Sequence, residues 1–128
     1  MKILLADDSG IMRRVIAKVA TNLGYHPIEA ENGADGLAKL RKHSSDIALI
    51  ILDWNMPVMD GYEVLEKIRA QEEYNHIPVL MATADGVQED VIKALKAGAN
   101  SYLVKPFTEE SLSERIAELV PNHQIVEQ

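Results

Sequence analysis

Four short runs of this chain are almost continuously apolar: Ile3-Leu4-Leu5-Ala6, Ile47 to Leu52, Val79 to Ala82, and Tyr102-Leu103-Val104. A strand with one wet face alternates apolar and polar residues. An unbroken run of Ile, Val and Leu instead has both faces covered, as in a parallel sheet between layers of helix. A fifth, weaker strand fits around Pro27-Ile28-Glu29-Ala30.

Helical period fills the intervals. Met12, Val15, Ile16, Val19, Ala20 and Leu23 form an apolar stripe at three- and four-residue spacing, with Arg13, Arg14 and Lys18 facing elsewhere. Ser9 is placed to cap that helix and Gly24 to stop it. Leu37 and Leu40 mark a second helix, and Val64, Leu65 and Ile68 a third with Asp60 as its cap. Val91, Ile92 and Leu95 mark a fourth ending at Gly98, and Leu112, Ile116 and Leu119 a fifth. Thr108 suits the cap of the fifth, Glu109 and Glu110 suit its positive end, and Pro121 would stop it. Strand and helix thus alternate five times, which calls for an α/β fold with a doubly wound parallel sheet.

The 128 residues, 47% of them hydrophobic, suffice for one core without covalent staples. We expect one domain over residues 1–120 and a polar tail, frayed end or linker stump, over 121–128. With no cysteine, neither disulfides nor thiolate zinc sites are possible. Met1 to Leu5 reach Asp7 and Asp8 too soon for a signal peptide, and no apolar run approaches the roughly 20 residues that span a bilayer. The expectation is a soluble, cytoplasmic protein. The net charge of −7 disfavours nonspecific binding to nucleic acid or to an anionic membrane.

Ligands of an open α/β sheet bind beyond the carboxyl ends of its strands, where strand order reverses. The first strand delivers Asp7 and Asp8 there, the third Asp53, the fourth Thr83 and the fifth Lys105. Taken singly, each has an ordinary structural role: a helix cap, a loop acid, a strand-end hydroxyl, a solvated lysine. Together they place three carboxylates, a hydroxyl and an ammonium along one edge. Close carboxylates repel unless a cation intervenes, and an all-oxygen cluster suits hydrated Mg²⁺. A carboxylate beside Mg²⁺ can attack phosphorus, with Lys105 and the Thr83 hydroxyl holding phosphoryl oxygens.

Asp7-Asp8-Ser9, Met12-Arg13-Arg14, Asp53-Trp54-Asn55-Met56-Pro57, Met59-Asp60-Gly61, Thr83-Ala84, Gly98-Ala99 and Lys105-Pro106-Phe107 carry a further signal. With these segments the chain, from Lys2 to Leu119, resembles the receiver domains of two-component response regulators, above all the single-domain chemotaxis, or CheY-like, type. The resemblance implies a five-stranded, flavodoxin-like (βα)5 fold and assigns roles. Asp53 is the phosphoacceptor. Asp8 is a direct Mg²⁺ ligand, Asp7 acts mainly through water, and Asn55 supplies its backbone carbonyl. Thr83 and Lys105 contact the phosphoryl group, Tyr102 is the switch aromatic coupled to Thr83, and the Lys105-Pro106 bond is cis. A CheA-like sensor histidine kinase would donate the phosphoryl group, and a monomeric regulator would then bind the flagellar motor switch through its fourth helix, fifth strand and fifth helix. A phosphatase is a further possible partner. Asn55 and Asp85 hold the two variable positions that influence acyl-phosphate hydrolysis.

Gly10 departs from the usual larger residue and suggests a looser helix entry. Asn55 stands where haloacid-dehalogenase-type phosphotransferases need a second acid. Neither a GxGxxG turn nor a Walker-type loop supports a nucleotide site. A receiver cut from a longer regulator, or one serving another phosphorelay, would read the same way. His26, His43, His76 and His123 lack ligand spacing, and Trp54, the single tryptophan, is expected to report metal binding.

Overall fold

The computed structural model describes residues 1–120; the expectations for 121–128, Pro121 included, lie outside them. The elements are β1 (Lys2–Ala6), α1 (Gly10–Asn22), β2 (His26–Ala30), α2 (Gly33–His43), β3 (Ile47–Leu52), α3 (Gly61–Arg69), β4 (Val79–Thr83), α4 (Gln88–Ala97), β5 (Ser101–Val104) and α5 (Glu109–Leu119). Short 3-10 turns at Ser44–Asp46 and Glu72–Tyr74 precede β3 and β4.

The strands form one parallel sheet in the order β2-β1-β3-β4-β5. Successive side chains point to opposite faces, so each apolar run feeds two cores at once. On one side Leu4, Ala6, Ile50, Leu52, Val79 and Met81 pack against Leu37 and Leu40 of α2 and Val64, Leu65 and Ile68 of α3. On the other, Ile3, Leu5, Leu49, Ile51 and Leu80 meet Ile16 and Val19 of α1 and Leu112 and Ile116 of α5. Each fully buried Leu or Ile contributes about 1.5–3 kcal/mol, so a register slip that exposed one face is strongly disfavoured.

The caps agree with the sequence. The Ser9 hydroxyl accepts from Met12 N at 3.2 Å, Asp60 Oδ1 from Glu63 N at 2.9 Å and Thr108 Oγ1 from Ser111 N at 2.9 Å. Asn32 caps α2, which the sequence reading left without a cap. Gly24 and Gly98 have φ of 93° and 117°, the left-handed geometry that stops α1 and α4. The entry of α1 is held by the Ser9 cap despite Gly10.

Two expectations change. β5 is an edge strand and only half-buried, with Val104 exposed, because no sixth strand among the described residues covers it. The stripe on α4 does not face the core. Ile92 and Leu95 are each 44% exposed, and Ala94 is the residue that packs inward. At the sheet margin a helix has less apolar surface beneath it, and a small residue brings its backbone closest.

Candidate functional site

The sheet ladder runs one residue past its strands and so delivers the site. Asp7 N donates to Ala30 O at 3.1 Å, Asp53 N to Ala6 O at 3.0 Å, and Lys105 N to Thr83 O at 2.8 Å. Asp7 and Asp53 therefore emerge side by side where β1 lies between β2 and β3, which is the switch point of the strand order. Gly61 N binds Trp54 O at 2.8 Å, and a Cβ at Gly61 would collide with the Asp53 carbonyl, so only glycine lets α3 start this close.

One carboxylate oxygen from each of Asp7, Asp8 and Asp53 lies within 4.8 Å of the others. Asp7 and Asp53 are buried, whereas Asp8 is exposed. Lys105 Nζ reaches Asp7 Oδ2 at 2.8 Å and Asp53 Oδ2 at 3.3 Å. Burial pulls the Lys105 ammonium pKa down, but hydrogen bonds and charge from Asp7 and Asp53 outweigh it and leave the pKa raised. Two carboxylate charges 4.8 Å apart repel by about 3 kcal/mol at an effective dielectric of about 20. One ammonium does not neutralise three carboxylates. The all-oxygen donor set and its residual negative charge fit a hard divalent cation such as Mg²⁺.

Thr83 is fully buried at the end of β4, where its Oγ1 accepts from Asp85 N at 3.3 Å. Tyr102 donates its hydroxyl to Asp85 O at 2.7 Å, so the 84–87 loop joins Thr83 to Tyr102. Burial, with the nearby carboxylates of Asp85, Asp90 and Asp53 adding to it, pushes the Tyr102 phenol up to about 12. Asn55 lies exposed on the loop after β3. Among the described residues neither Thr83 nor Asn55 hydrogen-bonds to the carboxylate cluster. The Lys105-Pro106 bond is cis. Trp54 is half-buried and stacks on Tyr62 of α3, with centroids 5.3 Å apart and planes at 15°.

Sequence reasoning missed Arg13, whose Nη1 donates to Asp7 O at 2.7 Å. It reads there as part of the polar side of α1, and only the fold shows it turning back. The Asp85 main chain as the link between Thr83 and Tyr102 was likewise not visible.

Fold and site together define a class: a doubly wound α/β module with a lysine-clamped cluster of carboxylates at its switch point. The model of the response regulator receiver domain matches residues 3–117, and the chain belongs to that family. It is thus a phosphoacceptor signalling regulator. The chain is 44% identical over 121 residues to a chemotaxis protein CheY homolog of Campylobacter jejuni, covering 94% of this chain and 92% of that one. Chemotaxis protein CheY-3 of Vibrio cholerae is also 44% identical, over 91% of this chain and 88% of its own. Among solved structures, chemotaxis response regulator CheY4 of Vibrio cholerae superposes with a TM-score of 0.85 at 35% identity, covering 92% of this chain and 97% of that one. A CheX-CheY-BeF3-Mg²⁺ complex from Borrelia burgdorferi gives a TM-score of 0.87 at 28% identity, covering 93% and 88%. Among the described residues no helix is long and apolar enough to cross a membrane.

Proposed function

We propose that Asp53 accepts a phosphoryl group from a phosphohistidine on a sensor kinase and that the change is read out in chemotaxis, by a flagellar motor switch protein. The observation that carries this reading is the meeting of Asp7, Asp8 and Asp53 with Lys105 bridging two of them. In the transfer an Asp53 carboxylate oxygen bonds to phosphorus as the bond to the imidazole nitrogen breaks, leaving an acyl phosphate. Asp7, Asp8, Asp53 and the Asn55 carbonyl would hold Mg²⁺. That cation, when bound, neutralises charge on the transferring oxygens. Lys105 already touches Asp53 and would follow the new dianion; Thr83 would donate its hydroxyl to a phosphoryl oxygen.

Thr83 binds the Asp85 amide and Tyr102 the Asp85 carbonyl, so movement of Thr83 toward the phosphoryl group would disturb the contact that holds Tyr102. The new charge thereby shifts a two-state equilibrium and changes the surface of α4, β5 and α5. The chemotaxis names of the relatives support this branch, and the CheX-CheY complex supports a further protein partner, a place that a phosphatase would fill. A cytoplasmic setting goes with the reading, and residues 1–120 form the receiver unit with 121–128 as its tail.

Incubation with acetyl phosphate, with and without Mg²⁺, followed by intact mass, tests the chemistry. One phosphoryl adduct is expected, only with Mg²⁺ and absent from Asp53→Asn. If no adduct forms and beryllofluoride with Mg²⁺ also leaves Trp54 fluorescence unchanged, the phosphoacceptor assignment is lost. A phosphorylated form that binds a motor-switch peptide no better than the free form would remove the chemotaxis assignment alone.

A further inference from the structure

Arg13 closes the first turn of α1 through its own amide, which donates to Ser9 O at 2.9 Å. Its side chain then runs backwards. Nη1 donates to the Asp7 carbonyl at 2.7 Å, and Nε lies 3.5 Å from Glu29 Oε1 on β2. The guanidinium thus ties together a helix, a neighbouring strand and the turn that carries two of the three clustered acids. Only 20% of the side chain is exposed.

The neighbouring bonds explain why that tie matters. Asp7 is held at every polar group: its amide by Ala30 O, Oδ1 by Ser9 N at 2.9 Å, Oδ2 by Lys105 at 2.8 Å, and its carbonyl by Arg13. Asp8 is exposed, and no side chain among the described residues is bonded to its carboxylate. The peptide between them is planar, so pinning the Asp7 oxygen also sets the nitrogen and Cα of Asp8. We propose that Arg13 is a positioning residue for the divalent-cation site, orienting the Asp8 carboxylate through the Asp7–Asp8 peptide plane. The inference rests on the cation-site reading above.

Two effects of Arg13 oppose each other. Its positive charge near the acids repels a cation, and Glu29 offsets part of that repulsion. Its bond to Asp7 O preorganises a ligand and favours the cation. Removal of the side chain therefore gives opposite signs: tighter Mg²⁺ binding if charge dominates, weaker if positioning does. A merely structural role would lower stability and leave Mg²⁺ affinity alone.

Calorimetric titration of the full chain with Mg²⁺ decides the matter. Arg13→Met is expected to weaken binding about tenfold, in the range for removal of a group that orients a metal ligand. Arg13→Lys is expected to recover most of the loss, because one ammonium donor still reaches the Asp7 carbonyl. Unchanged or tighter binding by Arg13→Met would overturn the proposal. If that protein does not fold, Arg13→Gln carries the test: its side chain is shorter and uncharged, so several-fold weaker binding is expected, and wild-type or tighter affinity would overturn the proposal. Failure of the underlying cation-site reading is distinguishable, because the wild type itself would then bind no Mg²⁺ and the inference would fall with it.

Discussion

Val58 has φ of 71° and is 80% exposed, an unusual pairing for a β-branched residue. Met59 N donates to Pro57 O at 2.7 Å, closing a three-residue turn around it. Strain of this kind costs about 1–3 kcal/mol and persists where the surroundings impose it, here the loop that follows Asp53. Val58→Gly should relieve the strain, and the extra freedom of glycine in the unfolded chain offsets part of the gain. A net stabilisation of about 1 kcal/mol is expected in urea unfolding; a lower midpoint would show that Val58 makes contacts worth more than its strain. Lys105 gives a prediction in pH. Its pKa is raised on folding, so its contribution is fully present below the ordinary lysine value of 10.5 and is lost as pH rises through the higher folded value. In Lys105→Met, the stability gap from wild type should hold steady at neutral pH and narrow under strongly alkaline conditions. A gap that narrows on acidification but not on alkalinisation would contradict this assignment.

Among the elements, α4 departs furthest from its sequence. Its N-cap, Val87, makes no side-chain cap bond, and two of its apolar residues face outward. Its far end is held instead. Arg69 of α3 donates to Gly98 O at 3.0 Å, Tyr74 O at 3.1 Å, Ile77 O at 2.8 Å and Asn100 Oδ1 at 2.9 Å. A Cβ on Gly98 would come within 2.6 Å of Arg69 Cγ, and its φ of 117° is strained for any other residue. Arg69→Ala strands several carbonyls and should cost about 3 kcal/mol by thermal or urea unfolding. A loss below about 1 kcal/mol would mean that water replaces the guanidinium. The caps Ser9, Asp60 and Thr108 and the stop Gly98 were legible because capping is local chemistry. The face α4 buries was not, because an apolar residue at helical spacing can serve a core or an exposed surface, and only the neighbouring elements decide which.

Across the whole molecule the acidic site couples to global stability. Three carboxylates within 4.8 Å disfavour the metal-free fold, and a cation that binds only the folded form stabilises it. Mg²⁺ at tenfold its dissociation constant should add about 1.4 kcal/mol to the wild type. Asp8→Asn should raise the Tm of the metal-free protein, through relief of repulsion, while losing most of the Mg²⁺ increment. A metal-free Tm below that of wild type would show that Asp8 has a structural bond outweighing the repulsion. Strand identity and the chemistry at each strand end were readable from the sequence, because an apolar run and the residue that follows it are local facts. The order β2-β1-β3-β4-β5 and the pairing of Lys105 with an aspartate 98 residues away belong to the tertiary structure. So do the return of Arg13 to Asp7 and the grip of Arg69 on the end of α4. The physical reason is that a polar side chain carries no period that names its partner. Its bond exists only once the buried faces have packed and brought the two ends within about 3 Å.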